Sequence, residues 1–308
     1  MKAQRPAQRQ ALGIALIALM TVCFAAMDTA VRWLGAFLPI LLLLTARYLV
    51  QAVSMGAWLA VHPRHGFRSA HPRFQALRGS LLLVTSIFSF IGLQYVPVPE
   101  LTAIYMLTPL LVTLLAATVL HEPVSALRWA LVAGGFVGAL MVIRPGNGGL
   151  GWAILLPLAG TCCYAAFQLL TRRLAGLENP LTTHFWTGFV GAAVLLPLLL
   201  AGPVDVRGAL VAAPAGHLAL LVLIGALGTG GHLMLIVAMG LAPTATLMPF
   251  VYLQIAAAAA CAWLVFQHLP DPWAWAGMGV IAVCGAASAW LNTRAAPVSP
   301  VEADTCAD

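Results

Sequence analysis

The chain has 308 residues, of which 62% are hydrophobic and 8% charged, with a formal net charge of +6. Soluble globular chains carry about 25% charged residues, so a soluble domain is excluded and a polytopic membrane protein is expected. The positive balance does not point to nucleic acid, because the basic residues are scattered over short connections, and in a membrane protein their sidedness counts for more than their sum.

The opening "MKAQRPAQRQALGIALIALMTVCFAAM" has the basic-then-apolar order of a signal peptide. Its apolar run is long and no clear A-x-A site precedes a soluble domain, so it reads as an uncleaved first span. A spanning helix needs about 20 mostly apolar residues. Ten such runs follow one another, at 11–34, 36–61, 76–95, 99–119, 126–143, 150–171, 181–201, 216–240, 243–266 and 272–292. The connections are short and rich in Pro and Gly, such as "VPVP" after Tyr95, "HEPVS" after Leu120 and "RPGNGG" after Ile143. Only the tails and the 62–75 loop have room outside the bilayer.

Lys and Arg give the orientation. With the N-terminus in the cytoplasm, the inner connections hold Lys2, Arg5, Arg9, Arg64, Arg68, Arg73, Arg78, Arg128, Arg172, Arg173 and Arg294, and the outer ones only Arg144 and Arg207. That asymmetry predicts both termini inside. The six cysteines (Cys23, Cys162, Cys163, Cys261, Cys284 and Cys306) show no metal-ligand spacing, and all but Cys306 lie in apolar runs as small packing residues.

The two halves are alike. "TVCFAAMDTAVRWL" (21–34) aligns on "TCCYAAFQLLTRRL" (161–174), and "LHEPVSALRWALVAGG" (120–135) more weakly on "VFQHLPDPWAWAGMGV" (265–280). Five spans per half is an odd number, so the second half enters the membrane from the opposite side. Such inverted repeats build many secondary transporters, with the site near the midplane between the halves.

These segments resemble the drug/metabolite transporter superfamily, in its ten-helix form with two EamA-type domains. The resemblance rests on "PELTAIYMLTPLLVTLLAATVLHEPVSALRWALVAGGFVGALMVIRPG" (99–146) and on "MDTAVRWLG…FLPILLLLTARYL" (27–49). The second stretch is similar to the branch that includes bacterial riboflavin and S-adenosylmethionine carriers. The resemblance covers about residues 11–292 and implies an all-α integral membrane protein. Its expected division is a first repeat at 11–143, a second at 149–292, and cytoplasmic tails at 1–10 and 293–308. Two positions depart from the pattern: Gln267 stands where the family's second half often has glutamate, and Gln254 where the first half has Pro109.

Charges inside the bilayer are costly and usually face a cavity or a partner. Asp28 lies about seventeen residues into the first span, in its outer half, and Arg47 near the midplane of the second. Asp28 could pair with Arg32 one turn on, in the favoured acid-before-base order, or with Arg47 across helices. Two readings stay open for Asp28 and Arg47: a structural ion pair, or substrate recognition and proton coupling. Arg32, at its helix end, reads as a snorkelling anchor. Glu122 in "LHEPV" reads as a loop-fixing or capping acid, and Glu100 after "VPVP" as a helix-start charge.

Uncharged polar and aromatic residues within the runs form a second group: Gln94, Tyr95, Tyr105, Tyr164, Gln168, His184, Trp186, His232, Tyr252 and Gln254. Each alone is more often an inter-helix bond or an interface anchor. Tyr105, Tyr164, Gln168 and Gln254 are deep enough to line a central cavity, and His232 in "GALGTGGHLML" has small neighbours that would admit a ligand to the backbone. No Walker motif, nucleotide loop, metal cluster or nucleophile triad is present, so no cofactor is expected and ATP-driven transport by this chain is disfavoured. A membrane-embedded lipid enzyme would gather acids or histidines at one face. The cytoplasmic loops offer His62, His65, His71, His121 and Glu122 without a repeated acidic motif.

The expected function is therefore secondary transport, not catalysis, of a small organic metabolite across a bacterial inner membrane by alternating access. The resemblance puts riboflavin or a nucleoside-like compound first, and amino-acid or drug export second. The expected partners are the small-molecule substrate, a coupling proton and the lipid bilayer, with monomer and homodimer both open.

Overall fold

The computed structural model describes residues 6–62, 66–119, 125–143, 151–174, 177–202, 205–241, 247 and 250–294. The described residues are helical and contain no strand. In order they form α1 (Pro6–Leu34), α2 (Ile40–Val61), α3 (Pro72–Tyr95), α4 (Val98–Tyr105), α5 (Thr108–Val119) and α6 (Ala126–Ile143). A 3-10 turn at Gly151–Ile154 leads into α7 (Leu155–Leu174), α8 (Pro180–Ala201), α9 (Val206–Ala212), α10 (Ala215–Leu241), α11 (Leu253–Phe266) and α12 (Pro272–Arg294). Among the described residues six helices are long and apolar enough to cross a membrane: α1, α2, α3, α7, α8 and α10. The other expected spans hold shorter apolar stretches, at Val98–Val112, Trp129–Ile143, Leu253–Phe266 and Pro272–Ser288.

Local chemistry sets many of the boundaries. Pro72, Pro180 and Pro272 each occupy the first helical position, where the missing N–H costs nothing. Asn179 accepts from the Leu181 amide at 2.9 Å and Asp271 from the Ala274 amide at 2.9 Å, capping α8 and α12. Asp205 caps α9, a short helix outside the expected runs, by accepting from the Gly208 amide at 2.8 Å.

The expected fourth span, 99–119, is not one helix but two. Pro109 has no N–H to give the Tyr105 carbonyl one turn back, and the chain breaks at Met106–Leu107. The Thr108 hydroxyl donates to that freed carbonyl at 2.6 Å. In the second half α11 likewise begins only at Leu253. Tyr252, immediately before it, donates from its hydroxyl to the Met106 carbonyl at 3.4 Å, so the start of α11 touches the break between α4 and α5.

The packing shows the two-repeat plan directly. The pairs α1–α10, α2–α10 and α1–α11 have the exchanged counterparts α7–α3, α8–α3 and α7–α5, while α2–α8 and α6–α12 pair equivalent helices. Equivalent helices run antiparallel. Tyr48, Gln51 and Gly56 of α2 meet Gly191, Gly188 and Phe185 of α8 in reverse order, and Gly134 and Gly138 of α6 meet Cys284 and Ile281 of α12. A two-fold axis perpendicular to the helices is the only operator that does this, so the repeat is inverted. Small residues permit the close crossings, with Gly138 and Gly277 placed backbone to backbone.

Candidate functional site

Between the halves, α2, α3, α7, α8 and α10 turn polar side chains toward one another at bilayer depth. Arg47 on α2 is 3% exposed. Its Nη1 donates to Ser86 Oγ on α3 at 3.3 Å, and its guanidinium lies 4.7 Å from the centre of the Tyr48 ring. Ser86 gives its own proton to the Leu82 carbonyl at 2.9 Å, so Tyr48 donates to Ser86 at 2.9 Å. Among the described residues Arg47 Nε is buried without a hydrogen-bond partner, and Nη2 makes no hydrogen bond.

Nearer the opposite end of the bundle, Arg78 on α3 is 8% exposed. Its Nε donates to Thr171 Oγ1 at 2.7 Å, and its Nη1 to Thr187 Oγ1 at 2.6 Å and the Thr183 carbonyl at 3.3 Å. The guanidinium stacks 4.4 Å over the Phe167 ring. The sequence reading counted Arg78 as a loop charge. In fact α3 starts at Pro72, four residues before the apolar run, and so carries Arg78 inside as its seventh residue.

Flat groups lie between the two arginines. His184 on α8 and His232 on α10 stack with ring centres 5.9 Å apart at 27°. Gln51 Nε2 donates to the His184 carbonyl at 3.0 Å and to its Nδ1 at 3.2 Å. His232 Nδ1 donates to the Gly228 carbonyl at 2.9 Å, which leaves Nε2 as the free acceptor. Tyr164 lies parallel to Phe167 at 5.6 Å and beside Gln168, within electrostatic reach of both Arg47 and Arg78. Both arginines also act on His184 and His232.

Asp28, 7% exposed on α1, has no hydrogen bond or ion pair among the described residues. Its charged neighbour is Arg47, beyond ion-pair distance, and Tyr105 and Cys261 also feel its charge. The alternative partner, Arg32, turns away. Its Nη1 donates to the carbonyls of Leu93 at 2.9 Å and Val96 at 2.5 Å, and it stacks 5.4 Å from Phe266. Tyr105 donates to the Thr85 carbonyl at 3.2 Å and packs on Gly160, within electrostatic reach of Tyr164. Gln254 is 9% exposed, second in α11 as Pro109 is second in α5, and its amide makes no hydrogen bond among the described residues.

Of the glycines near His232, Gly230 has open space where a Cβ would stand, and three others do not. Gly225, Gly228 and Gly231 are filled by Val50, by Met27 with Arg47, and by Phe24. Glu100 is in the first turn of α4, as expected of a helix-start charge, but also meets His268 of the other half at 3.2 Å. Arg32 and His268 line a cavity of about 240 Å³ at this end with Pro97, Val98, Ala262 and Phe266. Glu122 lies outside the described residues. Tyr95 is 56% exposed and stacks on Trp152, away from the polar layer.

Residues 11–144 and 151–289 each match the EamA-like transporter family. The chain belongs to that family. A riboflavin transporter of Rhizobium johnstonii is 34% identical over 62% of this chain and 61% of its own length. An S-adenosylmethionine uptake transporter of Rickettsia prowazekii is 23% identical over 84% of this chain and 86% of its own. A riboflavin transporter of Brucella anthropi is 24% identical over 84% and 91%. One solved crystal structure superposes with a TM-score of 0.61 at 20% identity, covering 93% of this chain and 99% of that one, which speaks for the fold alone. As a multi-pass EamA protein, the chain is a membrane transporter.

Proposed function

We propose that this protein is a secondary carrier of a small metabolite with a flat heteroaromatic ring, moved by alternating access across a bacterial inner membrane. The observation that carries the reading is the layer of Tyr164, His184 and His232 between two buried guanidinium groups, Arg47 and Arg78. Rings offer faces for stacking, and unsatisfied N–H groups at bilayer depth have no water to turn to. The relatives' names agree in chemistry, since riboflavin and S-adenosylmethionine both join a fused nitrogen heterocycle to a polyol or ribose. Asp28, whose carboxylate has no hydrogen bond or ion pair among the described residues, is the coupling candidate, and Tyr105, Gln168 and Gln254 complete the candidate lining. Arg32 and Glu100 have structural parts. The charge bias of the connections supports cytoplasmic termini. No enzymatic step is assigned to the chain.

The test is uptake into proteoliposomes of purified protein with riboflavin and S-adenosylmethionine, with thermal unfolding of the same preparations. A ligand that stabilises the protein and is transported supports the reading. Absence of both effects across vitamins, nucleosides and amino acids would reject it. Asp28→Asn should abolish uptake driven by an imposed pH gradient and spare counterflow exchange; equal loss of both would remove the coupling role.

A further inference from the structure

Arg78 has a property that Arg32 lacks: no acid among the described residues answers its charge. Arg32 has Glu100 within electrostatic reach. The five described carboxylates are engaged elsewhere: Asp28 faces Arg47, Glu100 meets His268, Glu178 accepts from Ser69 and His71, and Asp205 and Asp271 cap helices. The described residues that touch its guanidinium are neutral: two threonine hydroxyls, one carbonyl and the Phe167 face. A buried cation without a counter-ion is costly, and in membranes such a group marks a substrate path.

The frame also leaves a defined opening. Three bonds hold Nε and Nη1, and so fix the plane of the guanidinium. Nη2 makes no hydrogen bond among the described residues. A residue serving only as a staple would have spent this donor on the protein. Tyr164, His184 and His232 lie within electrostatic reach of both Arg78 and Arg47. Ser86, where Arg47 docks, is eight residues from Arg78 along α3 and so about 12 Å away.

We infer that Arg78 binds an anionic group of the transported molecule, a carboxylate or a phosphate, while the ring system of that molecule extends toward Arg47. This rests on the central layer being the substrate site. It goes further than the relatives' names, because riboflavin itself carries no such anion.

Two ligand pairs separate the possibilities: riboflavin against riboflavin 5′-phosphate, and S-adenosylmethionine against its decarboxylated analogue. Affinities are read from thermal shifts of the full-length protein in detergent. The wild type should favour the anionic member of one pair by about 10- to 100-fold, the range of a charge-assisted hydrogen bond. The pair that responds identifies phosphate or carboxylate. In Arg78→Gln that preference should vanish while affinity for the uncharged-end member is kept. Arg78→Lys, which keeps the charge without the planar fork, should retain part of it and serves if the glutamine variant does not fold. Binding without a preference in either pair, or a preference that survives Arg78→Gln, overturns the anion assignment alone. Failure of all four compounds to bind defeats the central site and this inference together.

Discussion

Gly191 on α8 offers the sharpest test of how the polar layer is held. A Cβ there would stand 2.5 Å from Cγ of Tyr48, inside the ring rather than at a flexible tip. Tyr48 is fully buried, and its hydroxyl shares Ser86 Oγ with Arg47, so displacing the ring also displaces the arginine. Overpacking of this kind costs about 1–3 kcal/mol, offset by the roughly 0.5–1 kcal/mol that alanine gains over glycine in a helix. Gly191→Ala should thus lose roughly 1–2 kcal/mol of stability, with slowed uptake. Gly230→Ala on α10 is the control: nothing lies within 4 Å of its Cβ, so only the helix gain applies. Tryptophan-fluorescence melting and proteoliposome uptake report on both. If Gly191→Ala melts at or above the wild-type temperature and transports normally, the α2–α8 spacing is not set by this contact.

At the break in the fourth span, Thr108→Val removes the hydroxyl that caps the Tyr105 carbonyl and should cost about 1–2 kcal/mol, read as a lowered melting temperature. An unchanged melt would mean that another group satisfies that carbonyl. Asp28→Asn removes no hydrogen bond and should melt within about 1 kcal/mol of wild type, whereas Arg47→Gln loses the Ser86 bond and the Tyr48 stacking and should cost about 1–3 kcal/mol. Equal melts for the two would refute that distinction. Glu178 lies in the α7–α8 connection. Burial pushes its carboxyl up, but the Ser69 hydroxyl and the His71 amide and ring together hold it below 4.5. A depressed acid stabilises above its unfolded value and loses that contribution as pH falls through the folded one. Wild type should therefore exceed Glu178→Gln in stability at neutral pH, and the two should converge below pH 4.5. A gap that persists in acid would assign the effect to packing.

What could be read from the sequence followed the strength of each signal. Long apolar runs gave the spans, because in a bilayer each helix must satisfy its own backbone. Odd span counts with matching ends gave the inverted repeat. Local chemistry that outweighs hydropathy was harder to see. Pro109 was in plain view, but its effect depends on Thr108 reaching back to a carbonyl, which a count of apolar residues does not register. Arg78 was misplaced for another reason: third in the 76–95 run, it was counted with the cytoplasmic charges, although Pro72 at the first helical position marked where α3 begins. Gln51, Ser86, Thr171 and Thr187 carried no individual signal. Their importance lies in which arginine or histidine they meet across helices, 39 positions apart in one case and 109 in another.

The bonds between the halves are unevenly distributed along the helices, and this bears on alternating access. At the end where α3 begins, the 66–71 segment of the first half is tied to the second by Thr182 to the Gly66 carbonyl, Trp186 to the Phe67 carbonyl, and Ser69 and His71 to Glu178. Gln75 to Thr183 and the Arg78 contacts extend the seam inward. At the opposite end the Glu100–His268 pair ties the halves, beside the 240 Å³ cavity, and Arg32 bonds within its own half. The described conformation is thus the more firmly closed at the α3-start end. A carrier must release that seam to complete a cycle, and Arg78 is its innermost member. An anion bound at Nη2 of Arg78 would act on the same guanidinium that Thr171 and Thr187 of the second half hold through Nε and Nη1, so occupancy of the site and opening of the seam would be coupled through one side chain.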